Sequence, residues 1–86
     1  MNTSVDSPES LIRTVLRDHG RLKQDAQSLD AGADLYQLGL TSHASVNVML
    51  ALEGAFGVEF PDRMLTRNVF SSIASIRAAV DELATG

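Results

Sequence analysis

Apolar residues in this chain recur at helical spacing and show no strand-like alternation. Leu11, Ile12, Val15 and Leu16 make one face of a first helix. Ser7-Pro8-Glu9 opens it: serine as N-cap, proline at the first helical position, an acid in the first turn. Gly20 is placed to end it. A second apolar run extends from Ser42 to Phe56 and stops at Gly57, a residue suited to the C′ position. On a wheel of about 100° per residue, Ser45, Val48, Met49, Leu52 and Phe56 share one side, the predicted core stripe. Val46 and Leu50 fall opposite, beside His43, Asn47 and Gly54, and Ala44 also reads as outward. Ile73, Ile76, Val80 and Leu83 form the face of a last helix, capped by Ser71 or Ser72.

The segment 21–41 has no helical period. A loop of this length needs a reason, and Leu22, Leu29, Leu35, Tyr36, Leu38 and Leu40 supply one by packing onto the helices. A short helical turn is expected near Ala33 to Gln37. Val58-Glu59-Phe60-Pro61-Asp62 reads as an extended link into a short helix with Met64, Leu65 and Val69 on its apolar side. The pattern predicts an all-α fold, a small four-helix bundle. It has three main helices, one short helix, and a long loop between helices one and two. Residues 1–86 are expected to form one small domain, with 1–6 and 84–86 as disordered termini.

Composition narrows the function. The net charge is −4, so nucleic acid is not an expected partner. Arg13, Arg17, Arg21 and Lys23 read as a solvated face of the first helix. There is no cysteine, and two histidines among scattered carboxylates lack metal-ligand spacing. No apolar run approaches the roughly 20 residues of a membrane span. The first residues have neither the basic nor the apolar region of a signal peptide, so a cytoplasmic protein is expected, with no membrane partner. Catalytic residues are not expected either. Ser42 and His43 are neighbours on a helix and point about 100° apart, so the imidazole is poorly placed as a base for the serine.

The informative stretch is the entry to the second helix. Thr41 and Ser42 can each cap a helix start. Ser42 sits at the positive end of the helix in a loop-to-helix corner, where an anion is favoured by about 0.3–1 kcal/mol. That corner suits a serine that carries a phosphate.

Asp34-Leu35-Tyr36-Gln37-Leu38-Gly39-Leu40-Thr41-Ser42, the helix from Val46 through Phe56-Gly57, and Glu59-Phe60-Pro61-Asp62 together resemble the acyl carrier protein family. There the motif reads roughly Leu-Gly-x-Asp-Ser-Leu, then a helix ending Leu-Glu-x-x-Phe-Gly, then an apolar-Pro-Asp turn. Two positions depart: Thr41 replaces the usual acid before the serine, and His43 the usual aliphatic after it. The resemblance implies that Ser42 is the attachment residue for a covalent 4′-phosphopantetheine arm. An acyl or aminoacyl group would ride on it as a thioester. The implied partners are a phosphopantetheinyl transferase, a cargo-loading ligase or synthase, and downstream acyl- or aminoacyl-transferring enzymes. The chain itself would be a monomer and would catalyse nothing.

Family members dock enzymes with the second helix, so Leu40, Thr41, His43, Val46, Asn47 and Leu50 are the expected partner-binding residues. Glu53 is the one carboxylate of that helix. Fatty-acid carriers are richer in acid there, which favours a specialised carrier, an amino-acid or modified-acyl one among them. The rival reading is an unmodified helical adaptor that binds proteins through Val46 and Leu50.

Overall fold

The structure, a computed structural model, describes residues 7–85. The predicted disorder of residues 1–6 and of Gly86 lies outside the described residues. Ala84 and Thr85, expected to be disordered as well, are instead the last residues of a helix.

The described residues fold into three α-helices, α1 (Pro8–His19), α2 (Ser42–Phe56) and α3 (Ile73–Thr85), with single 3-10 turns at Ala26–Ser28 and Asp62–Met64. No strand occurs among them. The short helix expected after Pro61 is therefore one 3-10 turn, and Pro61 stands just before it in extended backbone. Met64 is buried as expected, but Leu65 is 45% exposed.

α1 begins as its residues require. Ser7 accepts the Ser10 N–H at 3.1 Å and proline follows it. Ile12, Val15 and Leu16 are buried. Gly20 ends the helix without left-handed backbone; its φ is −82°. Its need for glycine is one of space, because a Cβ there would meet the Leu16 carbonyl oxygen at 2.8 Å. The positive φ falls on the next residue, Arg21 (φ 55°). At the other end of the chain Ser72 Oγ accepts the Ser75 N–H at 3.1 Å and starts α3. That helix buries Ile73, Ile76, Ala79 and Val80.

The long loop is held in two ways. Its apolar residues Ala26, Leu29, Leu35 and Leu40 join the core. Its backbone is folded by aspartates: Asp25, Asp30 and Asp34 each accept the N–H two residues on, all at 3.0 Å. The turn expected near Ala33 to Gln37 lies slightly later, where Leu38 N–H bonds to Leu35 O and Gly39 N–H to Tyr36 O. Two backbone bonds then tie the loop to the start of α3: Leu35 N–H to Ser71 O at 2.7 Å and Ala74 N–H to Ala31 O at 2.9 Å.

Arg13 is no part of a solvated face. Its side chain is 14% exposed and salt-bridged to Glu9 at 2.9 Å. One terminal nitrogen also donates to Ala26 O at 2.9 Å and Leu29 O at 2.6 Å. It satisfies carbonyls that the irregular loop leaves without backbone partners.

The face of α2 that packs inward is rotated from the expected stripe. Ala44, Val48 and Leu52 are buried, whereas Ser45, Met49 and Phe56 are only partly so. Apolar residues lie nearly all round α2, so spacing alone could not choose between adjacent faces. Gly57 closes the helix in left-handed backbone (φ 66°). Glu53 then turns back to accept the Phe60 N–H at 2.8 Å, and Phe60 packs its ring on Phe70, centroids 5.6 Å apart.

Candidate attachment site

The site is the corner where the loop enters α2. Gly39 has φ 110°, a conformation that side chains disfavour. It turns the chain so that Leu40 drops into the core. Thr41 follows in extended backbone (φ −96°, ψ 166°) and its Oγ1 accepts the Ala44 N–H at 3.0 Å. Thr41 is thus the cap, and Ser42 is the first helical residue. Ala44 is buried one step beyond His43. The serine is therefore held between two core anchors, Leu40 and Ala44.

Ser42 is exposed. Its carbonyl accepts the Ser45 hydroxyl at 2.8 Å, but among the described residues no hydrogen bond engages its own Oγ. The N–H groups of Ser42 and His43 belong to the first turn, where a helix leaves donors without internal partners. α2 has no acidic residue in that turn. A hydroxyl that is free, and beside unpaired donors without competing carboxylates, fits a phosphate-linked group.

The predicted partner residues divide. Leu40 is 4% exposed, so its side chain belongs to the core and is no contact surface. Thr41, His43 and Asn47 are exposed, and Val46 and Leu50 are 51% and 56% exposed. His43, Val46, Asn47 and Leu50 stand at i, i+3, i+4 and i+7 and form one outward face. Glu53 lies on the same helix but is engaged with the Phe60 backbone.

A groove of about 340 Å³ opens beside Ser42, between α2 and residues 65–70. Met49, Leu65 and Phe70 give it an apolar wall; Tyr36 and Arg67 stand in it together. The Arg67 guanidinium lies 3.9 Å from the centroid of the Tyr36 ring. Spacing carried no signal for this groove, because its walls come from residues 36–49 and 65–70, which only the fold brings together. Among the described residues no cluster of three or more histidines and carboxylates could hold a metal ion, and no helix is long and apolar enough to cross a membrane.

A small helical bundle with an unengaged serine hydroxyl at a helix start has the form of a carrier of a covalently attached group. Comparison with known proteins agrees. Residues 10–81 match the family described as the phosphopantetheine attachment site. The chain is 43% identical over 75 residues to an aminoacyl carrier protein of Agrobacterium fabrum, covering 87% of this chain and 90% of that one. A crystal structure of an engineered Bradyrhizobium japonicum glycine:carrier protein ligase, with a carrier protein from Agrobacterium tumefaciens and ATP, superposes with TM-score 0.85. The identity there is 41%, over 88% of this chain and 99% of the matched one. A second structure, of the B. japonicum ligase with glycylated carrier protein, matches with TM-score 0.65 and 31% identity, over 84% and 96% of the two chains.

The chain belongs to the acyl carrier protein family. It is a carrier and performs no catalysis itself, and its cofactor is covalent 4′-phosphopantetheine. The alternative of an unmodified adaptor does not survive this match.

Proposed function

We propose that Ser42 bears the arm, and that the cargo is an amino acid activated and loaded by an ATP-dependent amino acid:carrier protein ligase. When bound, the arm supplies a thiol that holds the cargo as a thioester. The residues of this chain position and present it. Thr41 takes the capping bond and so leaves the Ser42 hydroxyl available to a phosphopantetheinyl transferase. Leu40 and Ala44 fix the corner in the core, so the tether has a rigid mount. A tethered cargo then meets successive partner enzymes at high effective concentration.

The observation that carries the attachment site is the free, exposed Ser42 Oγ at the first position of α2. The aminoacyl cargo is supported by the likeness to an aminoacyl carrier protein and to carriers bound to glycine ligase. The outward face of α2, poor in acid, agrees with a partner that differs from fatty-acid synthase enzymes. Thr41, His43, Val46, Asn47 and Leu50 make the contact, and transferring enzymes downstream read the same face. The carrier works as a monomer in the cytoplasm, where coenzyme A and ATP are both at hand.

Intact mass spectrometry tests both parts. Incubation with coenzyme A and a broad-specificity transferase should add one arm, mapped to Ser42. The holo protein, ATP, glycine and a glycine:carrier protein ligase should then add one glycyl group. Attachment at Ser45, or at no residue, would overturn the site. An arm that accepts acyl groups but no amino acid would overturn the cargo.

A further inference from the structure

The groove beside Ser42 holds a cation that the attachment chemistry described above does not use. Arg67 comes from the segment between the second 3-10 turn and α3, yet it lines the same groove as Ser42. Its guanidinium is stacked over Tyr36 at 3.9 Å. Stacking engages the flat face of a guanidinium and leaves its edge, with five N–H donors, open to an oxyanion. The other arginines with carboxylate partners are Arg13, Arg17, Arg63 and Arg77. Arg67 forms no such pair among the described residues. The stack also removes part of the rotamer freedom that an exposed arginine would lose on binding.

The surroundings favour an anion at this spot. Thr41 and the first turn of α2 bring no carboxylate to compete for Arg67. Tyr36 is itself placed by Asp34, which accepts its N–H at 3.0 Å in the turn that leads to Ser42. The platform for the arginine and the serine corner therefore belong to one stapled piece of chain. The far wall of the groove is apolar, with Met49, Leu65 and Phe70.

We infer that Arg67, stacked on Tyr36, is the positioning residue for the arm: it binds the phosphodiester on Ser42 and turns the arm along the groove between α2 and residues 65–70. This rests on the reading that Ser42 carries the arm. Before loading, the arm lies against Met49 and Leu65, in a groove whose rim includes Val46 of the outward face. Docking of a partner on that face must compete with one ionic contact to release the arm.

The test uses the holo protein, with intact mass measured first on every sample. In wild type, the Arg67 Nε–H resonance should shift between apo and holo forms, and the ³¹P resonance of the phosphodiester should move with added salt. Contacts between arm protons and Leu65 or Met49 methyls should be visible. In Arg67→Gln the ³¹P response and the arm contacts should be lost, and in Tyr36→Leu the apo-to-holo shift of the Arg67 Nε–H as well, while the mass gain on Ser42 remains. Arg67→Lys should keep part of the salt effect and lose the stack. Tyr36→Phe retains the ring and should behave as wild type. A wild-type holo protein whose Arg67 Nε–H equals that of the apo form, and whose ³¹P response to salt and arm contacts equal those of the glutamine variant, overturns the positioning role and leaves the attachment site intact. Absence of the mass gain, or its mapping to another residue, overturns the attachment reading and this inference with it.

Discussion

Thr41 Oγ1 accepts the Ala44 N–H at 3.0 Å, so the threonine caps α2 and the neighbouring Ser42 hydroxyl is left without an internal task. Two adjacent hydroxyl residues thus differ: Thr41 is committed to the cap and the Ser42 Oγ is unengaged. Ser42→Ala should keep the stability of the wild type within about 0.5 kcal/mol, as for a surface change, and should accept no arm. Thr41→Ala should lose about 1 kcal/mol through the missing cap and still be modified. Urea unfolding and intact mass on both variants check this. Continued modification of the Ser42 variant would refute the assignment.

The rotated face of α2 makes a contrast in stability. Leu52 is fully buried, and Leu52→Ala should cost about 2–5 kcal/mol, a large share of what a small domain has. Phe56 is only partly buried, so its truncation should cost less than that of Leu52. Val46→Ala, at an exposed position, should stay within about 0.5 kcal/mol. Denaturant midpoints rank the three. Equal losses at Val46 and Leu52 would show that the helix faces the other way.

Arg13 joins α1 to the loop that leads to the site. Its bonds to Ala26 O and Leu29 O are charge-assisted, and such bonds are each worth about 1.5–3 kcal/mol. Arg13→Ala leaves both carbonyls short of a donor. It should cost about 2–4 kcal/mol on that basis and speed amide exchange through the loop. Arg13→Lys should recover only part, since one ammonium lacks the fork that serves Glu9 and the carbonyls together. Unchanged exchange in the loop of Arg13→Ala would show that the loop is held by its buried leucines alone.

The outward face holds aliphatics, an imidazole and an amide, and its nearest acid, Glu53, is occupied by the Phe60 N–H. Loading should therefore depend on apolar contact. Val46→Ala and Leu50→Ala should each raise the apparent Kd for the loading ligase several-fold without unfolding the carrier. A burial loss of about 0.8 kcal/mol per methylene corresponds to roughly fourfold. Added salt should weaken loading only modestly, because steering between charges falls steeply with ionic strength and aliphatic contact does not. Steep salt dependence with silent Val46 and Leu50 variants would point to Asp30, Asp34, Glu59 or Asp62 as the address.

The local features were legible in the residues alone. Ser7 and Pro8 start α1, and Gly57 stops α2, because caps and left-handed turns are decided within four residues of chain. The serine corner was legible for the same reason: Gly39 turns the loop, and Thr41 and Ser42 meet a helix start. Even there, which hydroxyl caps was settled only by backbone direction, since both residues have the chemistry. Three matters were decided by the tertiary structure. α2 is apolar nearly all round, so only its packing on α1 within the shared core selects Ala44, Val48 and Leu52 as its inner face and leaves Val46 and Leu50 outside. Arg13 reads as a surface charge until the loop brings the Ala26 and Leu29 carbonyls to it. Arg67 and Tyr36 meet across 31 positions of sequence (67 minus 36). Periodicity reports which side of a helix is apolar, but such pairings depend on how distant segments share one core, and that is a property of the folded chain.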